Sequence, residues 1–326
     1  MAKRSVTPTH DKDTHSAPTA PQGSTEFVYE AHGRVGLMDS GLGGLSVVKA
    51  LRSLAPNLAL DYYADSRYCP YGLRTPGFIR QRLLEITEHL TQQGAEVLVV
   101  ACNTASAAGL EWLRTKRSVP VVGMEPAVKP ATAATRNGKV GVLATGVTLE
   151  AQRFANLVER FAGGIQVFTE AAPELVGLVE AGCIHGPKVE RIVAQKVQPL
   201  LEAGVDTLVL GCTHFPFLAP ILSAVVGPRV KLIETGPSVA AQTVRVHREV
   251  TSPPLVLGGE PWKKNTDSPD RKSGKAPQTE PLHHPGVRLW SSGHPETTLA
   301  RARILLGDLP IHQGDPKRAT RTPIDS

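Results

Sequence analysis

The chain repeats itself. Arg34-Val-Gly-Leu-Met-Asp-Ser-Gly41 is echoed by Lys139-Val-Gly-Val-Leu-Ala-Thr-Gly146. Gly94-Ala-Glu-Val-Leu-Val-Val-Ala-Cys-Asn103 is echoed by Gly204-Val-Asp-Thr-Leu-Val-Leu-Gly-Cys-Thr213, and Pro126-Ala-Val128 by Pro237-Ser-Val239. The offsets are 105, 110 and 111 residues. A single match would reflect only the hydrophobic pattern that α/β units share. Three in order at a nearly constant offset indicate duplication and two related halves.

Within each half, strand-like and helix-like runs alternate. Val35–Met38, Val97–Ala101, Val140–Ala144 and Thr207–Leu210 are short apolar runs suited to buried strands. Leu45, Val48 and Leu51 recur at helical spacing, as do Ile79, Leu83, Ile86 and Leu90, with Gly94 placed to end that helix. Val189, Ile192, Val193, Val197 and Leu200 mark another helix, which Gly204 can close. The alternation predicts an α/β fold of parallel sheets covered by helices, with functional groups just beyond the carboxyl ends of the strands.

The organised chain is expected from about Arg34 to Leu309. Residues 1–33 and 312–326 read as disordered tails, and 258–286, rich in Gly, Pro, Lys, Asp and Ser, as a mobile insertion. A length of 326 residues suits one large domain or two ordinary ones. No apolar run is long enough to span a bilayer, and residues 1–33 lack the apolar segment of a signal peptide, so no membrane partner is expected. The four cysteines form no CxxC pair, which argues for a reducing cytosol rather than a disulfide framework. The net charge of +6 is spread along the chain without a basic stripe or interleaved aromatics, which argues against nucleic acid. A homodimer is compatible with the sequence.

The repeat carries one cysteine in each half, Cys102 and Cys212, just past a buried strand. Two lobes facing each other would set these thiols on opposite sides of a cleft. Racemisation needs that arrangement, because a proton must leave one face of a stereocentre and another must arrive on the opposite face. A thiol can serve as thiolate base or thiol acid near neutral pH. The carbon acid is far weaker, so donors must be placed in advance for the developing charge. Hydroxyls and backbone N–H groups around Asp39-Ser-Gly-Leu-Gly-Gly44, Asn103-Thr104 and Thr213 are suited to this.

Met38-Asp-Ser-Gly-Leu-Gly-Gly-Leu45, Pro70-Tyr-Gly72, Ala101-Cys-Asn-Thr-Ala-Ser106, Ala144-Thr-Gly-Val-Thr148, Leu178-Val-Glu180 and Gly211-Cys-Thr-His-Phe-Pro216 resemble the glutamate racemases, of the aspartate/glutamate racemase family. They stand in family order over roughly 34–245, and Trp290-Ser-Ser-Gly-His-Pro-Glu296 resembles the family's C-terminal strand and turn. The resemblance implies two pseudo-symmetric α/β lobes with the active site between them. One lobe would comprise 34–127 plus 236–311, and the other 128–235. It implies interconversion of L- and D-glutamate without cofactor, neither pyridoxal phosphate nor metal, supplying D-glutamate for peptidoglycan. Cys102 would deprotonate the D enantiomer, assisted by Asp39, and Cys212 the L enantiomer, assisted by His214. Glu180 matches a further acidic site residue. Asp39, Ser40, Tyr71, Gly72, Asn103, Thr104, Thr145, Thr148, Thr213 and His214 match substrate-binding positions.

There are departures. The family's Cys-Pro before its acidic residue is Ala172-Pro173 here, and Phe215 replaces a common tyrosine. Taken singly, each candidate has a plainer reading. Cys69 and Cys183 read as small buried hydrophobes, Asp39 as a turn former, His214 as a structural histidine and Glu180 as a solvated helix residue. Cys102, Cys212 and His214 lack paired zinc-ligand spacing. Two rivals are an aspartate racemase and a catalytically dead binding protein. His214 after Cys-Thr favours glutamate, where the aspartate enzymes resemble Cys-Thr-Glu. The intact thiols argue against a dead site.

Overall fold

A computed structural model of the chain describes residues 33–251 and 286–314. The expected tails and insertion lie outside the described residues except for Gly33, Gly286 and residues 312–314. There the boundary expected at 312 is corrected, because His312 and Gln313 pair with Arg288 and Leu289 in a strand. Their alternation is too short to register as a pattern in sequence.

The first half runs β1 (Arg34–Asp39), α1 (Leu45–Leu54), β2 (Ala59–Ala64), α2 (Pro76–Gln92), β3 (Val97–Val100), α3 (Asn103–Arg114) and β4 (Val121–Val122). The second runs α4 (Val128–Ala134), β5 (Lys139–Ala144), α5 (Gly146–Glu150), α6 (Gln152–Phe161), β6 (Gln166–Ala171), α7 (Pro173–Glu180), α8 (Pro187–Glu202), β7 (Thr207–Leu210), α9 (Ala219–Val226) and β8 (Lys231–Glu234). Then come α10 (Gly236–Thr251), β9 (Val287–Ser291), α11 (Pro295–Leu306) and β10 (Ile311–Gln313).

These strands form two parallel sheets, ordered β10-β9-β2-β1-β3-β4 and β6-β5-β7-β8. The inner order of the first is reproduced by the second. Register is reproduced too: Val35 pairs with Val97, and its repeat equivalent Val140 pairs with Thr207. The fold is thus α/β, with two pseudo-symmetric parallel sheets flanked by helices.

The apolar runs are continuous because the central strands are covered on both faces. Val35 and Leu37 of β1 join one core with α1, while Met38 joins a second with Ile79, Leu83 and Ile86 of α2. Gly36 lets α2 approach closely, since a Cβ there would stand 2.9 Å from that of Leu90. Thr75 caps α2, its Oγ1 accepting the Phe78 N–H at 3.3 Å, and Gly94 leaves it at φ +89°.

The two halves exchange helices. After β4 the chain crosses over, and Val128 and Ala131 of α4 enter the core of the second sheet with Val140, Val142 and Val209. After β8 it returns, and Val239, Ala240 and Val244 of α10 share a core with Val47, Val48 and Leu51 of α1.

Candidate active site

In each sheet the strand order reverses beside the first strand of the repeat, so successive helices leave on opposite faces and a crevice opens at the carboxyl ends. Asp39 ends β1 and Cys102 follows β3 at the first crevice. Thr145 follows β5 and Cys212 follows β7 at the second. A narrow cavity joins the two. Ser40, Pro70, Tyr71, Gly72, Cys102, Asn103, Thr104, Thr145, Val176, Cys212, Thr213 and His214 line it. A wider cavity along the connecting segments, lined by Arg114, Pro126, Arg153 and Val246 among others, contains neither thiol. Both candidate thiols therefore face the narrow one.

Bonds across the cleft hold the halves together. Thr104 Oγ1 and Thr145 Oγ1 are 3.1 Å apart, and Thr145 continues to Thr148 at 2.9 Å. Thr213 donates to Asp39 Oδ2 at 3.5 Å. The Leu42 N–H donates to Glu180 Oε1 at 2.6 Å. The glycine-rich turn makes this last approach possible: a Cβ on Gly41 would collide with Glu180 Oε1, and one on Gly43 with His214 Nδ1.

The two thiols have contrasting surroundings. Cys102 is the N-cap of α3, its Sγ accepting from the Ala105 N–H at 3.4 Å, with Ser40 Oγ at 3.8 Å. Burial, then the nearby Asp39 carboxylate, push this thiol well above its ordinary pKa. Burial also raises Asp39, which accepts from the Gly44 N–H at 2.7 Å. On the other side, Cys212 Sγ is 3.6 Å from His214 Nδ1, and His214 Nε2 is 2.7 Å from Glu180 Oε1. Burial by itself would lower His214, but hydrogen bonds with Cys212, Cys69 and Glu180 outweigh it and hold the imidazole well above its ordinary range. Burial likewise opposes ionisation of Glu180, but its bonds with His214 and the Leu42 N–H prevail and lower its pKa.

Most of the residues singled out from the sequence converge here. Asp39 lies behind Ser40, fully buried, and Thr148 acts through Thr145. Glu180 does not sit on a solvated helix face: at the end of α7 it turns inward to His214. Sequence reasoning missed Cys69, whose surroundings couple it to His214 and Glu180, and the wall residues Pro70 and Val176. It also missed the support beneath Tyr71, where the phenol donates to Asp65 Oδ2 at 2.5 Å and Arg82 grips the same carboxylate at 2.8 and 2.9 Å. The acidic and basic partners are seventeen residues apart, and no local pattern signals the pair. Asn103 is buried, and among the described residues neither its amide nitrogen nor its oxygen has a hydrogen-bond partner. That costs free energy unless a ligand completes the bonds.

Comparison with known proteins extends this geometry. A glutamate racemase of Ectopseudomonas mendocina is 52% identical over 213 residues, covering 65% of this chain and 81% of the relative. One from Pseudomonas aeruginosa is 50% identical, with 65% and 80% coverage. Among solved structures, a glutamate racemase isoform from Bacillus anthracis superimposes with TM-score 0.71 at 27% identity, covering 88% of this chain and 99% of that one. The Escherichia coli glutamate racemase, solved with L-glutamate and the activator UDP-MurNAc-ala, gives 0.70 at 31% identity, with 86% and 97% coverage. The sequence model for Asp/Glu/hydantoin racemases matches residues 35–243, the stretch that holds both thiols and the repeat. Fold, duplicated thiols and sequence kinship agree, and the chain belongs to the Asp/Glu/hydantoin racemase family.

Proposed function

We propose that this protein is a glutamate racemase that interconverts L- and D-glutamate with Cys102 and Cys212 as opposed acid and base. The observation that carries the proposal is the placement of the two buried thiols at equivalent points of a duplicated fold, on one cavity. The relatives at about half identity are glutamate racemases, and His214 after Cys-Thr supports glutamate over aspartate.

In the D-to-L direction Cys102 accepts the α-proton and Cys212 delivers one to the opposite face. Burial and the Asp39 carboxylate raise the Cys102 thiol. A bound α-ammonium would offset that charge and free the thiolate at the moment it is needed. Asp39 can then relay the proton. His214, bonded to both Cys212 and Glu180, can resupply Cys212. Asn103, whose amide lacks a partner among the described residues, supplies a donor and an acceptor to the substrate, together with the hydroxyls of Ser40, Thr104 and Thr213. Tyr71, Gly72 and Thr145 complete the walls. The product, D-glutamate, would serve peptidoglycan synthesis in the cytoplasm.

Circular dichroism of the purified protein with L-glutamate, then with L-aspartate, tests this reading after dialysis against a chelator. Decay of the L-glutamate signal, with aspartate nearly inert and no pyridoxal absorbance, is the expected result. Preference for aspartate, or activity restored only by metal or pyridoxal phosphate, would overturn it.

A further inference from the structure

Cys69, Glu180 and His214 approach from three separate segments: the turn after β2, the end of α7 and the turn after β7. One ligand atom from each lies within 4.8 Å of the other two. A sulfur, an imidazole nitrogen and a carboxylate oxygen make a borderline-soft donor set, suited to zinc rather than to calcium or magnesium. Gly41 keeps the space between them open, since a Cβ there would collide with Glu180 Oε1 and stand 2.9 Å from Cys69 Sγ. Around one tetrahedral zinc, ligand atoms stand about 3.2–3.7 Å apart. His214 Nε2 and Glu180 Oε1, now 2.7 Å apart, would need to separate by roughly 1 Å or less to reach that spacing.

We propose that Cys69, Glu180 and His214 form an inhibitory zinc site, in which a divalent cation takes the place of the proton between His214 and Glu180. The ion would bind the Cys69 thiolate, His214 Nε2 and a Glu180 oxygen, with the fourth position open to an exogenous ligand. The Cys69 proton, and the one held between His214 and Glu180, leave to solvent. With Nε2 ligated, His214 can no longer alternate between imidazole and imidazolium at Cys212, and proton resupply on that face stops. The inhibitory consequence rests on the role proposed for His214, but metal binding does not. Cys69 also contacts His214, so the effect of the ion on each protein is read against that protein's own metal-free rate.

The test uses the full chain and two metals, Zn2+ and Co2+. Zn2+ should inhibit racemisation, and in Cys69→Ser, measured against its own metal-free rate, the inhibition constant should rise at least about tenfold. Removing even an outer partner of a metal ligand weakens metal sites by about 10–100-fold. Co2+ should give the wild type a thiolate charge-transfer band that Cys69→Ser lacks. Equal inhibition, or an equal band, in both proteins would mean that the ion sits on a catalytic thiol and would overturn the proposal. A second readout needs no variant. Zn2+ should shield Cys69 of the wild type from iodoacetamide, mapped by mass spectrometry, while the exposed Cys183 is labelled as before. Labelling of Cys69 that is indifferent to Zn2+ would equally overturn it. The absorption and labelling results do not depend on turnover, so failure of the glutamate reading and failure of the metal site remain distinguishable.

Discussion

Asp39 and His214 place charges of opposite sign beside the two thiols, and the difference predicts how single substitutions behave. Cys102→Ser and Cys212→Ser should each lower racemisation by roughly 10²–10⁴-fold, the usual worth of a positioned acid or base. The defects should differ in direction. With a glutamate analogue that bears a leaving group at Cβ, only proton removal is needed. The variant lacking Cys212 should then prefer the D analogue and the variant lacking Cys102 the L analogue. The same preference in both would refute the two-base assignment. Glu180→Gln probes the other partner. His214's folded pKa lies above its ordinary 6.5, so its contribution to stability is complete below that pH and is lost as pH rises through the folded value. Glu180 is depressed below 4.5, so its contribution is complete above 4.5 and is lost as pH falls through the lower value. Removing the carboxylate should move the imidazole titration, followed by NMR, to lower pH. An unmoved titration would show that Glu180 does not hold the charge.

The connection between β2 and α2 carries Tyr71 and Gly72 into the cavity, and a buried ion pair holds it in place. Asp65 has no solvent exposure and Arg82 almost none, and the carboxylate also accepts from Tyr71. Arg82→Met would leave a buried carboxylate without its counter-charge, a change that costs about 3–5 kcal/mol. Thermal denaturation should show that loss, and Asp65→Asn added to Arg82→Met should recover part of it. A double variant no more stable than the Arg82 single variant would show that the charge is not the cause. A second buried charge hides the strand β2 from the apolar pattern. Its six residues are all buried, but Asp61 interrupts the apolar run. Arg34 and Arg288 compensate that charge at 3.1 and 2.5 Å, and Arg288 stands 227 residues away.

The exchange of α4 and α10 makes the two halves interdependent. A chain ending at Thr235 would lack α10, β9, α11 and β10, exposing Val47, Val48 and Leu51 of α1 and opening the β2 edge. Each large aliphatic side chain so exposed costs about 1.5–3 kcal/mol, against a total stability of about 5–15 kcal/mol. The truncated chain should show no cooperative thermal transition by far-ultraviolet circular dichroism. A sharp transition would show that the returning segment is dispensable.

Periodicity is a local property, and it marked β1, β3, β5 and β7 because strands covered on both faces must be apolar throughout. Duplication then made Cys102 and Cys212 legible, since each follows a strand of the repeat at the same register. The half-exposed edge strand β6 and the three-residue β10 bury too little to leave such a mark. Glu180 reads in sequence as an ordinary helix-end acid, and Cys69 as a small hydrophobe. Their meeting with His214, across 34 and 145 residues, depends on which connections cross the cleft and on glycines that leave room for contact. Those are matters of how whole sheets are joined and how closely backbones approach, and no spacing along the chain encodes them.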